Sequence, residues 1–233
     1  MKSLTPNEER HQESLDELRR SDAFDVLFDE QQKLWFALDE FLPLSDTKAE
    51  WADLELGPDL LRCSLRFKRI SSQWRLTGSR QDLAGEFSLP HFYKTLIGAA
   101  PRATDDASEN DRQLFSELRI IDSTPRDATG QAALVRIQLA KDPLEIWYQD
   151  RDLYDSVNNP QACVRTTLNY CEYLDALRLT KGTFGWQLLF TDVLLRDTLQ
   201  HRAETLTEML EVFPAAFPAH DYTSLAERLE ARL

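Results

Sequence analysis

The residues best equipped for chemistry in this chain are few and scattered. His11, His91, His201 and His220 are the only histidines, and none stands four residues from another or beside a carboxylate pair, as a zinc or di-iron site requires. The three cysteines, Cys63, Cys163 and Cys171, are odd in number and lack CxxC spacing. Cys163 and Cys171 are eight residues apart, two helical turns, too far to bridge within one helix. Free cysteine behaves as a small hydrophobe, so buried thiols are the expectation. A Cys–His nucleophile assembled from distant parts of the chain is left open, although apolar patterning around Cys63 and Cys163 favours burial. The acidic pairs Asp105-Asp106 and Asp150-Asp152 could bind a cation or act as acid and base. Neither has the ordered oxygen spacing of an EF-hand, and a solvated loop is the simpler reading of each. There is no GxSxG, P-loop, GxGxxG or kinase motif. The chain is therefore read as non-enzymatic, with no cofactor and no metal.

One glycine pair remains. LRLTKGTFGWQLLF, residues 177–190, holds two of the seven glycines three residues apart. With no strand leading in, they cannot wrap a pyrophosphate as the three-glycine dinucleotide turn does. The pattern before them is helical. The segment reads as a helix C-terminus: Arg178 and Lys181 complement the dipole, Gly182 takes the left-handed position, and Gly185 relieves crowding ahead of Trp186.

The elements that must position these residues come from a chain of 233 residues, 42% hydrophobic and 29% charged. That is enough for one large core, and the five Trp and twelve Phe argue against disorder. No apolar run approaches the roughly 20 residues that span a bilayer. MKSLTPNEERHQESLDELRR has no apolar signal region, so a cytoplasmic protein is expected. Forty Asp and Glu against 27 Lys and Arg give a formal charge of −13. That field disfavours nucleic acid and membrane as partners and speeds encounter with a basic protein. It also serves plain solubility.

Residues 8–42 are predicted helical, with Leu27, Leu34, Leu38 and Phe41 on one face. Pro43 ends that stretch, and Ser45 or Asp46 could cap a turn through Trp51. The period then becomes two. Leu61, Cys63, Leu65 and Phe67 alternate with polar residues, Trp74 and Leu76 continue beyond a Ser71-Ser72 turn, and Leu83, Phe87 and Leu89 resume after Gly78-Ser79. Two or three antiparallel strands are predicted between 59 and 89. Pro90 opens a short helix stopped by Gly98, and residues 102–112 form an acidic surface loop. FSELRIID is ambiguous between helix end and strand. AALVRIQLA and LEIWYQD, joined by a turn at Asp142-Pro143, predict a hairpin over 132–149. Everything from 162 onward is predicted helical: one helix to Lys181-Gly182, a second from near Gly185 through Leu210, and a last one capped by Asp221, with Leu225, Leu229 and Leu233 four apart. The order gives an α+β fold, an antiparallel sheet packed with N- and C-terminal helices. Residues 1–55 are expected to be a helical extension and 56–233 the α+β domain.

YLDALRLTKGTFGWQLLF (173–190) resembles the C-terminal signature of the SUKH superfamily, in which a helix with a Tyr-Leu pair ends in Lys/Arg-Gly and is followed by aromatic-x-Trp-Gln. LPHFYKTLIGAAP (89–101) is similar to that family's Leu-Pro-x-x-Tyr-Lys stretch, with Gly98-Ala99-Ala100 where the family carries Asn-Gly-Gly. FPAHDYTSLAERLEARL looks like its endings. The resemblance covers residues 85–233. It implies an α+β domain without a catalytic centre, used in bacteria as the immunity protein of a polymorphic toxin system, which binds and blocks a cognate toxin, often a nuclease. An acidic inhibitor would be steered onto a basic nuclease face. The loop carrying Asp105, Asp106, Glu109 and Asp111 is the candidate contact, with a solvated loop as the plain alternative. The resemblance also allows a non-catalytic adaptor or regulatory scaffold in cell-envelope or secretion processes.

Overall fold

Two antiparallel sheets meet along one edge and carry helices from both ends of the chain. The computed structural model describes residues 3–44, 51, 54–78, 83–105, 107–139, 143–156 and 161–233. The first sheet has the order β1 (Phe24–Gln31), β2 (Arg69–Leu76), β3 (Ala84–Pro90), and the second β4 (Leu118–Ser123), β5 (Ala132–Arg136), β6 (Glu145–Gln149), β7 (Cys163–Arg165). The helices are α1 (Pro6–Arg20), α2 (Pro58–Cys63), α3 (Phe92–Ile97), α4 (Glu109–Glu117), α5 (Leu153–Ser156), α6 (Tyr170–Thr180), α7 (Gln200–Ala216) and α8 (Thr223–Glu230). The fold is α+β, as the order of periodicities predicts. No described helix is long and apolar enough to cross a membrane.

Local sequence explains several of these elements. Thr5 and Glu8 form a reciprocal capping box ahead of Pro6, which starts α1. Ser108 and Asp111 do the same for α4, and Asn169 and Glu172 for α6. FSELRIID is both things at once: α4 ends at Glu117 and β4 begins at Leu118. The predicted hairpin is β5–β6, paired from Ala132↔Gln149 to Arg136↔Glu145. Asp142, in its predicted turn, lies outside the described residues, as do Ser79, Ser45 and Asp46.

Four expectations give way. The helical extension over 1–55 contains β1, which pairs along β2 from Phe24↔Leu76 to Gln31↔Ile70 and so belongs to the same sheet. A bulge between Val26 and Phe28 throws Leu27 outward. Leu27, the first residue of the predicted helical face, is half exposed. Residues 59–63 are helix α2, not strand, because Gly57-Pro58 opens a helical turn. β2 runs unbroken through Ser71 and Ser72; the Ser71 hydroxyl meets that of Ser88 on β3 at 3.0 Å. Beyond 162, Cys163–Arg165 is a strand on the edge of β6. The long helix predicted from Gly185 is a 3-10 turn at Trp186–Phe190, an irregular stretch, and then α7.

The cysteines also differ from expectation. Cys63, ending α2, and Cys171, opening α6, form a disulfide with Cα atoms 5.6 Å apart. Only Cys163 is a free buried thiol, its pKa pushed up to about 12 by burial. Packing α2 on α6 brings together residues 108 apart in sequence, and no local pattern encodes that.

The turn after α6 is a packing device. Lys181 (φ 53°) and Gly182 (φ 75°) both take the left-handed conformation. The chain then lies against the edge of β3: Glu86 N donates to Gly182 O at 3.0 Å and Phe184 N to Ala84 O at 3.1 Å. A Cβ on Gly85 would sit 2.7 Å from Gly182 O, so only glycine permits this approach.

Candidate functional site

Helix α7 turns two faces to different surroundings. Leu206, Met209 and Phe213 are buried. The Phe213 ring lies 5.8 Å from those of Phe24 and Trp74 and 5.3 Å from Phe217, which fixes the helix against the first sheet. Along the other face, Gln200, Glu204, Glu208 and Glu211 follow at three- and four-residue spacing. Beside them runs Leu195–Asp197, tied to the chain after α8 by Leu195 N donating to Arg232 O at 2.8 Å. Between the two lies an open groove of about 770 Å³.

The groove is electrostatically one-sided. Asp197, Glu204, Glu208 and Glu211 face it against the single guanidinium of Arg196. Glu204 accepts from Gln200 Nε2 at 3.0 Å. Among the described residues, no ion pair neutralises Asp197, Glu204 or Glu211. Like charges at this spacing cost an isolated helix a few tenths of a kcal/mol per pair, about 0.2–0.5. Asp197 also holds φ at 56°, a left-handed conformation that a non-glycine residue adopts at some energetic cost.

The start of α7 is clamped from below. The Arg202 guanidinium reaches Asp152 Oδ2 at 2.7 Å and Asp150 Oδ2 at 3.2 Å. His201 Nε2 meets Asp152 at 2.9 Å, and Tyr148 OH donates to Asp150 at 2.7 Å. Burial opposes ionisation of Asp152, but Arg202 and His201 outweigh it and hold the carboxyl below its usual range. The Asp150-Asp152 pair, expected as a solvated loop, is thus an internal clamp with Asp150 buried.

The predicted acidic contact has a different character. Asp105 pairs with Arg102 at 2.9 Å, both widely exposed, and its carbonyl accepts from Arg112. Asp111 caps α4, its carboxylate accepting from the Ser108 hydroxyl at 2.7 Å. Glu109 opens α4 and is exposed. Asp106 lies outside the described residues. A shallow hollow of about 400 Å³ there is lined by Arg102 and Arg112 as well as Asp105, so its charge is mixed.

No family model matches the chain, and neither a curated protein nor a solved structure does. The remaining chemistry-bearing groups are turned inward. Lys181, from the KGTFGW segment, is 1% exposed. Its Nζ donates to Ser14 Oγ at 2.8 Å and to the Glu17 carboxylate, and sits 4.9 Å from the Phe217 ring. Burial pulls its pKa down while Glu17 pulls it up, leaving it below the ordinary value. Glu17 also meets His220 Nε2 at 2.8 Å. This cluster staples α1 to the end of α6 and to the chain after α7. Asp122 joins the two sheets: it accepts from Ser88 N at 2.7 Å and from Tyr173 OH at 2.7 Å. Burial pushes its pKa up to about 6, against those hydrogen bonds. Among the described residues, no three His, Cys, Asp or Glu side chains converge to hold a metal ion.

The α7 carboxylates carry a signal in the sequence. Glu204, Glu208 and Glu211 share a helix face with no Lys or Arg at the intervening four-residue positions. What sequence does not show is the strand of chain lying opposite, which turns that face into a groove.

Proposed function

We propose that the protein binds and neutralises a basic partner by stoichiometric contact, as the immunity protein of a bacterial polymorphic toxin. The observation that carries this reading is the α7 groove, where Glu204, Glu208 and Glu211, on a helix held by its aromatic anchor, join Asp197 of the facing segment against the one guanidinium of Arg196. A toxin surface that tracks phosphates is rich in Lys and Arg. Such a surface would be steered onto this groove by the field of the whole molecule and held there by contacts that need no bond-making centre. The likeness of residues 173–190 to the SUKH signature supports the immunity role, and the groove replaces the 105–111 loop as the favoured contact.

Coexpression with the product of the adjacent gene tests the reading. Rescue of growth, a one-to-one complex at low salt and steep weakening with added salt are expected. Glu204→Lys with Glu211→Lys should abolish both rescue and complex at an unchanged melting temperature. A toxin that forms no stable complex at low salt, or one indifferent to the charge reversal, would overturn the proposal. The compartment is tested separately: Cys63 and Cys171 persist as a disulfide only where conditions are oxidising. Mass spectrometry of the alkylated native chain should therefore find them as thiols if the protein is cytoplasmic.

A further inference from the structure

We propose that a second face, built around Trp35, docks an acidic segment of a partner protein that inserts an aromatic or aliphatic anchor. The inference does not depend on the α7 reading and uses none of its residues.

The face arises where the β1–β2 pairing continues irregularly beyond both strands. Trp35 N donates to Arg66 O at 2.7 Å, Lys68 N donates to Lys33 O at 3.1 Å, and Leu34 bridges Phe67. Phe67 is buried, while Trp35 and Lys68 are half-buried and Lys33 is exposed, as alternation requires. Helix α3 adds Tyr93, Lys94 and Ile97. The rings form one connected cluster: Phe41 stacks on Tyr93 at 4.2 Å, and Trp35 meets them edge-on at 5.2 and 6.3 Å. Phe36 touches Phe41 at 6.0 Å. Phe36 is 49% exposed, and Leu42 and Ile97 beside the cluster are 37% and 38% exposed.

Cations surround this apolar patch. Lys94 Nζ lies 5.5 Å from the Trp35 ring centroid, Lys68 and Arg69 are near enough to act on Lys94, and Lys33 is the backbone partner of Lys68. Arg69 donates to the Ser88 hydroxyl at 2.6 Å. Among the described residues, Lys33, Lys68 and Lys94 enter no ion pair. The neighbouring carboxylates have other duties. Glu8 is held by Arg66, and Glu40 accepts from the Ala37 backbone. Burial, then Lys68 and Arg69, lower the pKa of Lys94, consistent with like charges crowded together. In a chain with 40 carboxylates and 27 Lys and Arg, lysines that enter no ion pair border a partly exposed ring cluster, the arrangement of an aromatic interface centre with a polar rim.

The occupant follows from complementarity. The lysines ask for carboxylates, and the rings with Leu42 and Ile97 ask for an apolar side chain. A nucleic acid fits less well: bases could stack on the rings, but the net charge of −13 repels a polyanion. A second copy related by a two-fold axis would set lysines against lysines.

The test is display selection of random short peptides on the full chain, with counter-selection on a Lys68→Glu/Lys94→Glu variant, whose changes are at the surface and leave the core intact. Surviving peptides should be acidic and carry Trp, Phe or Leu. Their affinity by fluorescence anisotropy should fall about tenfold or more in that variant and in Phe41→Ala, and stay unchanged in Glu204→Gln/Glu211→Gln. Four outcomes would overturn the proposal: no peptide distinguishes the variant; the survivors are basic or uncharged; a labelled oligo-dT binds in a lysine-dependent way; or the chain alone self-associates through the same lysines in sedimentation.

Discussion

The α7 groove and the Trp35 face are opposite solutions on one acidic molecule. The groove is a helix face of carboxylates mounted on a regular, deeply anchored element. The Trp35 face is a patch of rings and lysines on irregular chain and a six-residue helix. A net charge of −13 predicts the first and conceals the second. The difference teaches that net charge describes the approach of a partner from a distance, while local pairing decides what it meets on arrival. Elsewhere, Glu8–Arg66, Glu17–Lys181 and Arg202 with Asp150 and Asp152 hold elements together. At these two faces Asp197, Glu204 and Glu211, and Lys33, Lys68 and Lys94, enter no ion pair among the described residues.

The largest blow to the comparison would come from the core beneath both. Phe213→Ala empties the site that anchors α7, at a cost of about 3–5 kcal/mol in urea denaturation. Because β1 and β2 support both faces, groove and patch should be lost in one transition. A variant that loses the groove while the rest melts as wild type would show two independent units. Next in size, reducing the Cys63–Cys171 bond, or Cys63→Ser with Cys171→Ser, should cost about 2–4 kcal/mol and lower the melting temperature. Neither cysteine lines either face, so binding below the melt should persist; a change at one face would show that the α2–α6 tie tunes it.

A smaller effect concerns pH. Asp122 has a folded pKa of about 6 against an ordinary value of 3.8, so the folded state binds the extra proton between those values, and this group adds stability as pH falls through that window. His11 runs the other way. Buried and crowded by Arg178, Arg10 and Lys181, its pKa is lowered from 6.5 to about 3, so the unfolded state takes the proton and stability falls as pH drops from 6.5 toward 3. Asp122→Asn removes the compensating term and should steepen acid loss by up to about 1 kcal/mol per pH unit between the two Asp122 values. An unchanged slope would move the pH response to the exposed faces. The smallest expected effect sharpens the comparison most. Glu204→Gln/Glu211→Gln and Lys68→Gln/Lys94→Gln should each shift stability by no more than about 0.5 kcal/mol, the first slightly upward as like-charge repulsion is relieved. Losses well beyond that would mean the charges serve the fold.

Much of the fold was legible where local chemistry and tertiary packing agree. Trp74 and Leu76, then Phe87 and Leu89, marked β2 and β3, and LEIWYQD marked β6. Lys181-Gly182 marked the end of α6. Less was legible where two periods fit one stretch. Leu27, Leu34, Leu38 and Phe41 suit a helix face, yet Phe24, Val26 and Phe28 also alternate, and the free edge of β2 selects the strand. Least legible were residues whose role lies far along the chain, as with Cys63 and Cys171, or Lys181 and Glu17. The candidate site was half legible: a carboxylate row on α7 can be counted, but not the segment that faces it.

By itself the sequence determined the class of the fold, the excess of negative charge, and the glycine that lets the turn after α6 lie against β3. Only the tertiary structure decided which charges are neutralised, which cysteines meet, and that the acidic row and the lysine patch are both left open. Charge, size and backbone freedom belong to a residue wherever it sits. A partner within a few ångströms belongs to the packing of distant elements, and packing follows from the whole chain minimising exposed apolar surface, not from any short stretch of it.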